Sequence, residues 1–331
     1  MPTIVYAALA FAAATALGAQ ETPCTVIANV AAAYYRPLLQ LPNGTEVAEP
    51  GLWIPDSQLP PDAFVAREGH HRVRILSVQQ DDAARRVVIV VAYPGARAWE
   101  RLRAAGAPTG RAGPQDPDML GTQLSAVLSA ARPQDSLGFL TTGESRIEVP
   151  LSSNRRALLD GINAFFAPTG DGSAGPDVFG GLAQAAAWFG KAQAGDSILL
   201  LGGIDPWDRA KGAELRANLV GRGIRLFILG PAGAIPPGCY WCESSPRLDD
   251  VLAVETGGGV ETTSGLVPQA PKESVRLWQE QARTMYDMVT FAYLIRFART
   301  NPKVKIELSP KLRTKFLQVR INYATPLPVC P

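Results

Sequence analysis

Four short apolar runs, spaced so that a helix fits between each and the next, constrain this chain more than any other feature. The first is Val87-Val88-Ile89-Val90-Val91. A β-branched run with no polar face must be covered on both sides, as in a parallel sheet sandwiched by helices. Ser136-Leu137-Gly138-Phe139-Leu140, Ser197-Ile198-Leu199-Leu200-Leu201 and the stretch from Ile224 to Leu229 repeat the pattern. Between them the apolar residues recur at helical spacing. Leu120, Leu124, Val127, Leu128 and Ala131 form one such face, and Leu158, Leu159, Ile162, Phe165 and Phe166 another, with Ser153 or Asn154 placed to cap it. Leu182, Ala185, Ala186 and Phe189 form a third, and Leu215, Leu219 and Val220 a fourth, ended by Gly221 and Gly223. The order predicts an α/β fold. Its doubly wound, mostly parallel central sheet has strands near 87–92, 136–140, 197–202 and 224–229.

The flanks read differently. Residues 20–85 hold short strand-like pieces and many prolines. Residues 266–331 hold one helix, with Val275, Trp278, Ala282, Met285 and Val289 on a face, then strand-like runs at 289–297, 304–308 and 316–323. The expected division is 1–19 as an export signal, 20–85 as a β-rich segment, 86–265 as the α/β domain, and 266–331 as a helix with strands. The two flanks are expected to join in one small β-rich appendage.

Ile4 to Leu17 is apolar, Ala-rich and uncharged, too short to span a bilayer, and gives way to Gly18-Ala19-Gln20. It reads as a signal peptide cut near Ala16 or Ala19, which places the mature chain outside the cytoplasm, secreted or periplasmic, with no transmembrane segment. The four cysteines, Cys24, Cys239, Cys242 and Cys330, suit that destination. Cys239-Tyr240-Trp241-Cys242 follows Pro236-Pro237-Gly238 and opens no helix, so it reads as structural rather than redox-active. Cys24 and Cys330 are either paired, tying the two ends together, or free.

Enzyme signatures are missing. No Gly-x-Gly-x-x-Gly or Walker loop follows a strand, and no Gly-x-Ser-x-Gly elbow occurs. The chain has 2 histidines, and His70-His71 reads as an exposed turn. Asp81-Asp82 and Asp249-Asp250 read as solvated turn residues. With 32 basic and 30 acidic residues the net charge is +2, which gives no overall pull toward nucleic acid or anionic lipid. No cofactor is implied.

From about Pro61 to Tyr323 the order of segments resembles the von Willebrand factor type A (VWA) family, in particular its VWFA-related acidobacterial branch. Asp62-Ala63-Phe64-Val65-Ala66-Arg67-Glu68-Gly69 is similar to that branch's "DF-x-v-x-E-x-G" segment. Arg74-Ile75-Leu76 and the run 87–91 follow it. Glu255-Thr256-Gly257-Gly258-Gly259 is similar to its "TGG" before the last strand, and Tyr293 stands at its "Y-x-l-x-Y" strand. The resemblance implies a metal-ion-dependent adhesion site built from three loops, but the matching positions lack its ligands. Ala92, Pro94 and Ala96 replace D-x-S-x-S, Pro176 stands for the Thr, and Gly202 takes the turn of the third-loop Asp, leaving Asp177 and Asp205 as the nearby carboxylates. Mg²⁺ and Ca²⁺ need oxygen ligands, so the site is expected to be degenerate and to hold no metal.

The expected function is that of a non-catalytic protein-binding or scaffold protein. Its partner surface lies at the carboxyl edge of the sheet, around Tyr93, Trp207, Asp205 and Asp177, since exposed aromatics are favoured interface anchors. The alternatives are an exported hydrolase or redox protein with an unrecognised site, or a structural subunit of an envelope assembly.

Overall fold

A computed structural model describes residues 23–40, 46–53, 61–92, 117–143, 146–167, 177–202, 204, 208–231, 248–263, 271–298, 304–308 and 319–324. In chain order the strands and helices are β1 (Pro23–Gln40), β2 (Glu46–Trp53), β3 (Phe64–Glu68), β4 (His71–Val73), β5 (Ile75–Asp81), β6 (Arg86–Val91), α1 (Pro117–Ala130), β7 (Ser136–Thr141), β8 (Glu148–Ser152) and α2 (Arg155–Phe166). They continue with α3 (Val178–Trp188), β9 (Ser197–Leu201), α4 (Arg209–Arg222), β10 (Arg225–Pro231), α5 (Leu248–Glu255), β11 (Gly259–Thr263), α6 (Pro271–Thr290), β12 (Ala292–Ala298), β13 (Val304–Leu308) and β14 (Val319–Tyr323). The expected export signal lies outside the described residues. Among the described residues no helix is long and apolar enough to cross a membrane.

The central sheet has six strands in the order β11-β10-β9-β6-β7-β8. All neighbours run parallel except the β7–β8 pair. Counted along the sheet, this is the doubly wound order 3-2-1-4-5-6 with its third strand reversed. The apolar runs divide by parity, as the pleat requires. Val87, Ile89 and Val91 join Leu199, Leu201, Phe227 and Leu229 on one face, under α1, α2 and α6. Val88 and Val90 join Ile198, Leu200, Leu226 and Ile228 on the other, under α3, α4 and α5. The α/β class and the four expected strands hold. Strand β8 had no signal of its own: Glu148-Val149-Pro150-Leu151-Ser152 contains a proline, which an edge strand tolerates.

The helix caps follow from the sequence. Asn154 accepts the amides of Arg156 and Ala157, and Gly223 ends α4 in the left-handed region at φ 69°. On α2, Leu158, Ile162 and Phe165 are buried, but Leu159 points outward. The strand-like reading that began at Val289 is corrected: α6 runs on to Thr290, and Val289 is one of its core residues.

The flanks form the β-rich appendage. β1 lies between the C-terminal strands β12 and β14, with β5 on the far side of β12 and β2 on β1, every pair antiparallel. β13, β3 and β4 make a second, three-stranded sheet. Phe64, Ala66, Val78, Tyr293, Ile295, Phe297 and Ile306 share the core between them.

The chain passes from appendage to α/β layer at 82–85 and returns at Phe291, and one buried side chain ties both crossings. Arg85, 1% exposed, donates to the Asp81 carboxylate at 2.5 Å and to the Asp81 carbonyl at 2.8 Å. It also donates to the Thr290 carbonyl at 3.1 Å. Its own amide donates to Asp135 at 2.8 Å. Asp81, expected in a solvated turn, is therefore buried as the partner of this cation, whereas Asp82 is exposed. Arg225 donates to the Val289 carbonyl at 2.8 Å and to Ser197 Oγ at 3.0 Å. Two arginines thus serve carbonyls that the last turn of α6 cannot satisfy internally, with charges that complement the helix dipole. Burial, and then the neighbouring Arg85 cation, pulls the Arg225 guanidinium down to about 9, still charged at neutral pH.

Asp135 anchors the other side of the network. It accepts from Arg132 at 2.8 Å, from Tyr286 Oη at 2.9 Å and from the Arg85 amide. Burial pushes its carboxyl up, but these three donors outweigh burial and hold it below the usual range.

Two outcomes follow. Removing one partner of a buried pair leaves a charge uncompensated, so Arg85→Ala should lower unfolding stability by about 3–5 kcal/mol in denaturant titration. Asp135 has a folded pKa below its unfolded value of about 4, so its contribution is complete above that pH and lost as pH falls through the folded pKa. Wild-type unfolding midpoints should decline on that acid limb, and Asp135→Asn should be less stable at pH 7 with a flatter acid limb.

Candidate functional site at the carboxyl edge

In an open doubly wound sheet the crevice forms where the strand order reverses, outside the carboxyl ends of the strands. Here that point lies between β6 and β9. Ala92 follows β6, and its amide donates to the Leu201 carbonyl at 3.0 Å. Gly202 follows β9, and its amide donates to the Leu229 carbonyl at 2.9 Å. The two residues pack against each other: a Cβ on Gly202 would stand 2.8 Å from the Ala92 carbonyl oxygen, and φ is +123°. A glycine is required here twice over, by backbone conformation and by space.

Thr142, buried beyond the end of β7, donates through Oγ1 to the Val91 carbonyl at 3.3 Å. Its own carbonyl accepts the Asp177 amide at 3.0 Å. Asp177 is the N-cap of α3, and its carboxylate accepts the Gly180 amide at 3.0 Å. Thr142 was not singled out from sequence; its signal was a threonine directly after a buried strand. At Asp177 a groove of about 260 Å³ opens between α3 and α4, lined by Asp177, Phe179, Lys211, Glu214, Leu215 and Asn218. Phe179, Lys211 and Glu214 carried no sequence signal, because only the packing of α3 beside α4 brings them together.

Of the expected site residues, Ala92, Gly202 and Asp177 are placed at this edge. Tyr93, Pro94, Ala96, Pro176, Asp205 and Trp207 lie outside the described residues. So do Cys239, Cys242 and Cys330, and Cys24 is described by its backbone alone, paired with Phe297.

A hard divalent cation needs several oxygen ligands. Ala92 and Gly202 have no side-chain oxygen, the Thr142 hydroxyl is bonded to backbone, and the Asp177 carboxylate caps a helix. Among the described residues no group of three or more His, Cys, Asp or Glu could hold a metal.

The Thr256-Gly257-Gly258 motif is structural. Thr256 Oγ1 accepts the Leu226 amide at 2.9 Å and donates to the Ala253 carbonyl at 2.7 Å. A Cβ on Gly258 would lie 1.8 Å from the Leu226 carbonyl oxygen. The motif joins α5 to the start of β11 against β10.

No protein-family model matches the chain, and no curated protein does. Solved structures show similarity at low identity. A von Willebrand factor type A protein from Catenulispora acidiphila aligns with 70% of this chain and 52% of its own, at 15% identity and a TM-score of 0.41. The conserved hypothetical protein BatB from Bacteroides thetaiotaomicron aligns over 60% and 97%, at 12% identity and a TM-score of 0.36. The SpRpn10 VWA domain aligns over 54% and 99%, at 10% identity and a TM-score of 0.33. The chain thus spans about half the length of the Catenulispora protein. The fold assignment rests on the strand order and pairing of this chain itself.

Gly202→Ala tests the packing of this edge. The added methyl meets the Ala92 carbonyl in a backbone region costly to any L side chain, so thermal unfolding should report a loss of about 1–3 kcal/mol. Asp177→Ala, which removes only a cap, should cost about 1 kcal/mol.

Proposed function

We propose that this chain is an exported, non-catalytic protein-binding or scaffold protein of VWA-like type, whose partner docks on the carboxyl edge of the central sheet without a bridging metal. One observation carries the reading: the residues ending the two strands at the switch point, Ala92 and Gly202, pack against each other and carry no ligand oxygen, while a groove opens between α3 and α4 at the Asp177 cap. Fewer than three protein oxygens would leave Mg²⁺ mostly hydrated and weakly held. A metal-bridged carboxylate is therefore a poor basis for contact. Apolar and aromatic contact replaces it, supplied by Phe179 in the groove and by Tyr93 and Trp207 in the loops after β6 and β9. Export rests on the apolar N-terminal run of the sequence.

The reading has two measurable consequences. Calorimetric titration with Mg²⁺, Mn²⁺ and Ca²⁺ should find no site tighter than about millimolar, as expected for one or two carboxylates. Capture of a partner from the native envelope fraction should survive EDTA and be lost in the Tyr93→Ala/Trp207→Ala double variant, with circular dichroism unchanged. Micromolar metal binding, or capture abolished by EDTA, would refute the metal-free mode. Capture undiminished in the double variant would move the partner surface elsewhere.

A further inference from the structure

Far from that edge in sequence, the three-stranded sheet of the appendage carries a second surface with its own chemistry. The registers place Lys305 opposite Arg67, and Arg67 opposite Arg72. Three cations therefore stand in one row across β13, β3 and β4, each about 5 Å from the next along the backbone. All three are exposed, and Arg74, just beyond β4, is exposed as well. Lys305 has an ion-pair partner in Glu307 at 3.0 Å. Among the described residues Arg67, Arg72 and Arg74 make no ion pair. Like charges directly opposite each other destabilise a sheet, so the row is a cost to folding that the Lys305–Glu307 pair relieves at one end only.

Two further features adjoin the row. Among the described residues β4 has no second neighbour: it ends the order β13-β3-β4 and leaves one line of backbone amides and carbonyls unpaired. A cleft of about 450 Å³ runs beside it, with Phe64, Ala66, Val73 and Ile75 contributing apolar walls, and with Arg72 and Arg74 outnumbering the one carboxylate, Asp62, in its charged lining.

We infer that this edge binds an extended acidic segment of a partner protein, which adds as a strand to β4. A strand in that position continues the row by one place, so that an acidic side chain faces Arg72 across the pair. Its alternate, apolar residues lie over the cleft, because strand side chains alternate between faces. The free edge supplies backbone pairing, the cleft takes apolar side chains, and the cations select carboxylates. A nucleic acid fits less well: it would use the cations and leave both the free edge and the apolar walls unused, and the outward face of the described row has no aromatic ring on which bases could stack.

The test uses the full chain and three fluorescent probes. These are a ten-residue peptide of alternating Glu and Val, the same peptide N-methylated at alternate amides, and a single-stranded oligonucleotide of equal charge. The Glu-Val peptide should bind, more weakly as salt rises. Arg67→Gln/Arg72→Gln should weaken it by about ten-fold or more, since it removes the cation facing the added strand and the one behind it. The N-methylated peptide, unable to pair with β4, should bind at least as weakly as the peptide does to that variant. The double variant should also keep its fold and melt at or above the wild-type temperature, since the like-charge row is relieved. Equal binding of the methylated peptide, or tighter binding of the oligonucleotide, would overturn strand addition. Binding unchanged in the double variant would overturn the cationic row as the site. Neither result depends on whether a partner uses the carboxyl edge, so the two readings fail separately.

Discussion

The position of Arg85 governs the layout of the molecule. Its guanidinium sits among Asp81, Thr290 and Gly195 at the amino edge of the central sheet, where the chain crosses between the two halves in both directions. A buried cation is tolerated only when its charge is met. Here Asp81 and the Thr290 carbonyl meet it through the two terminal nitrogens, leaving Nε without a partner. These bonds fix the end of β5, the end of α6 and the start of β6 relative to one another. Arg225 repeats the device one position away on the same helix end, and Asp135 closes the set through Tyr286. Among the described residues the buried ion pairs are concentrated at this edge.

That division explains what could be seen in the sequence. The strands β6, β7, β9 and β10 announce themselves because burial on both faces removes polar residues from them. The helices show through their spacing, although Leu159 and Val275, which belong to the apolar patterns by identity, are exposed at 47% and 37%. The clasp could not be read. Arg85 and Asp81 look like surface charges near a turn, and only the strand order reveals that the turn lies beneath α6. The end of α6 was misplaced for the same reason: Val289 is β-branched and suggests a strand, but its side chain faces the sheet and its carbonyl is held by Arg225. At the candidate site the residues that lack ligand oxygens, Ala92 and Gly202, were legible as identities. The groove at Asp177 was not, since Phe179 and Lys211 become neighbours only when α3 packs beside α4.

The two surfaces assigned here differ in kind. The carboxyl edge is a consequence of topology: any doubly wound sheet has a crevice there, and its occupant is set by the loops. The cationic row is set by side chains against the preference of the fold, because Arg67 and Arg72 would be more stable apart. Two contacts on one chain reinforce each other when both can be engaged at once. The clasp at 81–85 and 289–291 joins both chain crossings through a single side chain.

If the clasp couples the two halves, they open as one unit. Native-state hydrogen exchange tests this directly, because amides that open together report the same free energy. The amides of Ile295 in β12 and Leu200 in β9 should exchange with equal opening free energies in the wild-type chain, and should separate in Arg85→Ala. Exchange of Ile295 at a clearly lower free energy than Leu200 in the wild-type chain would contradict it.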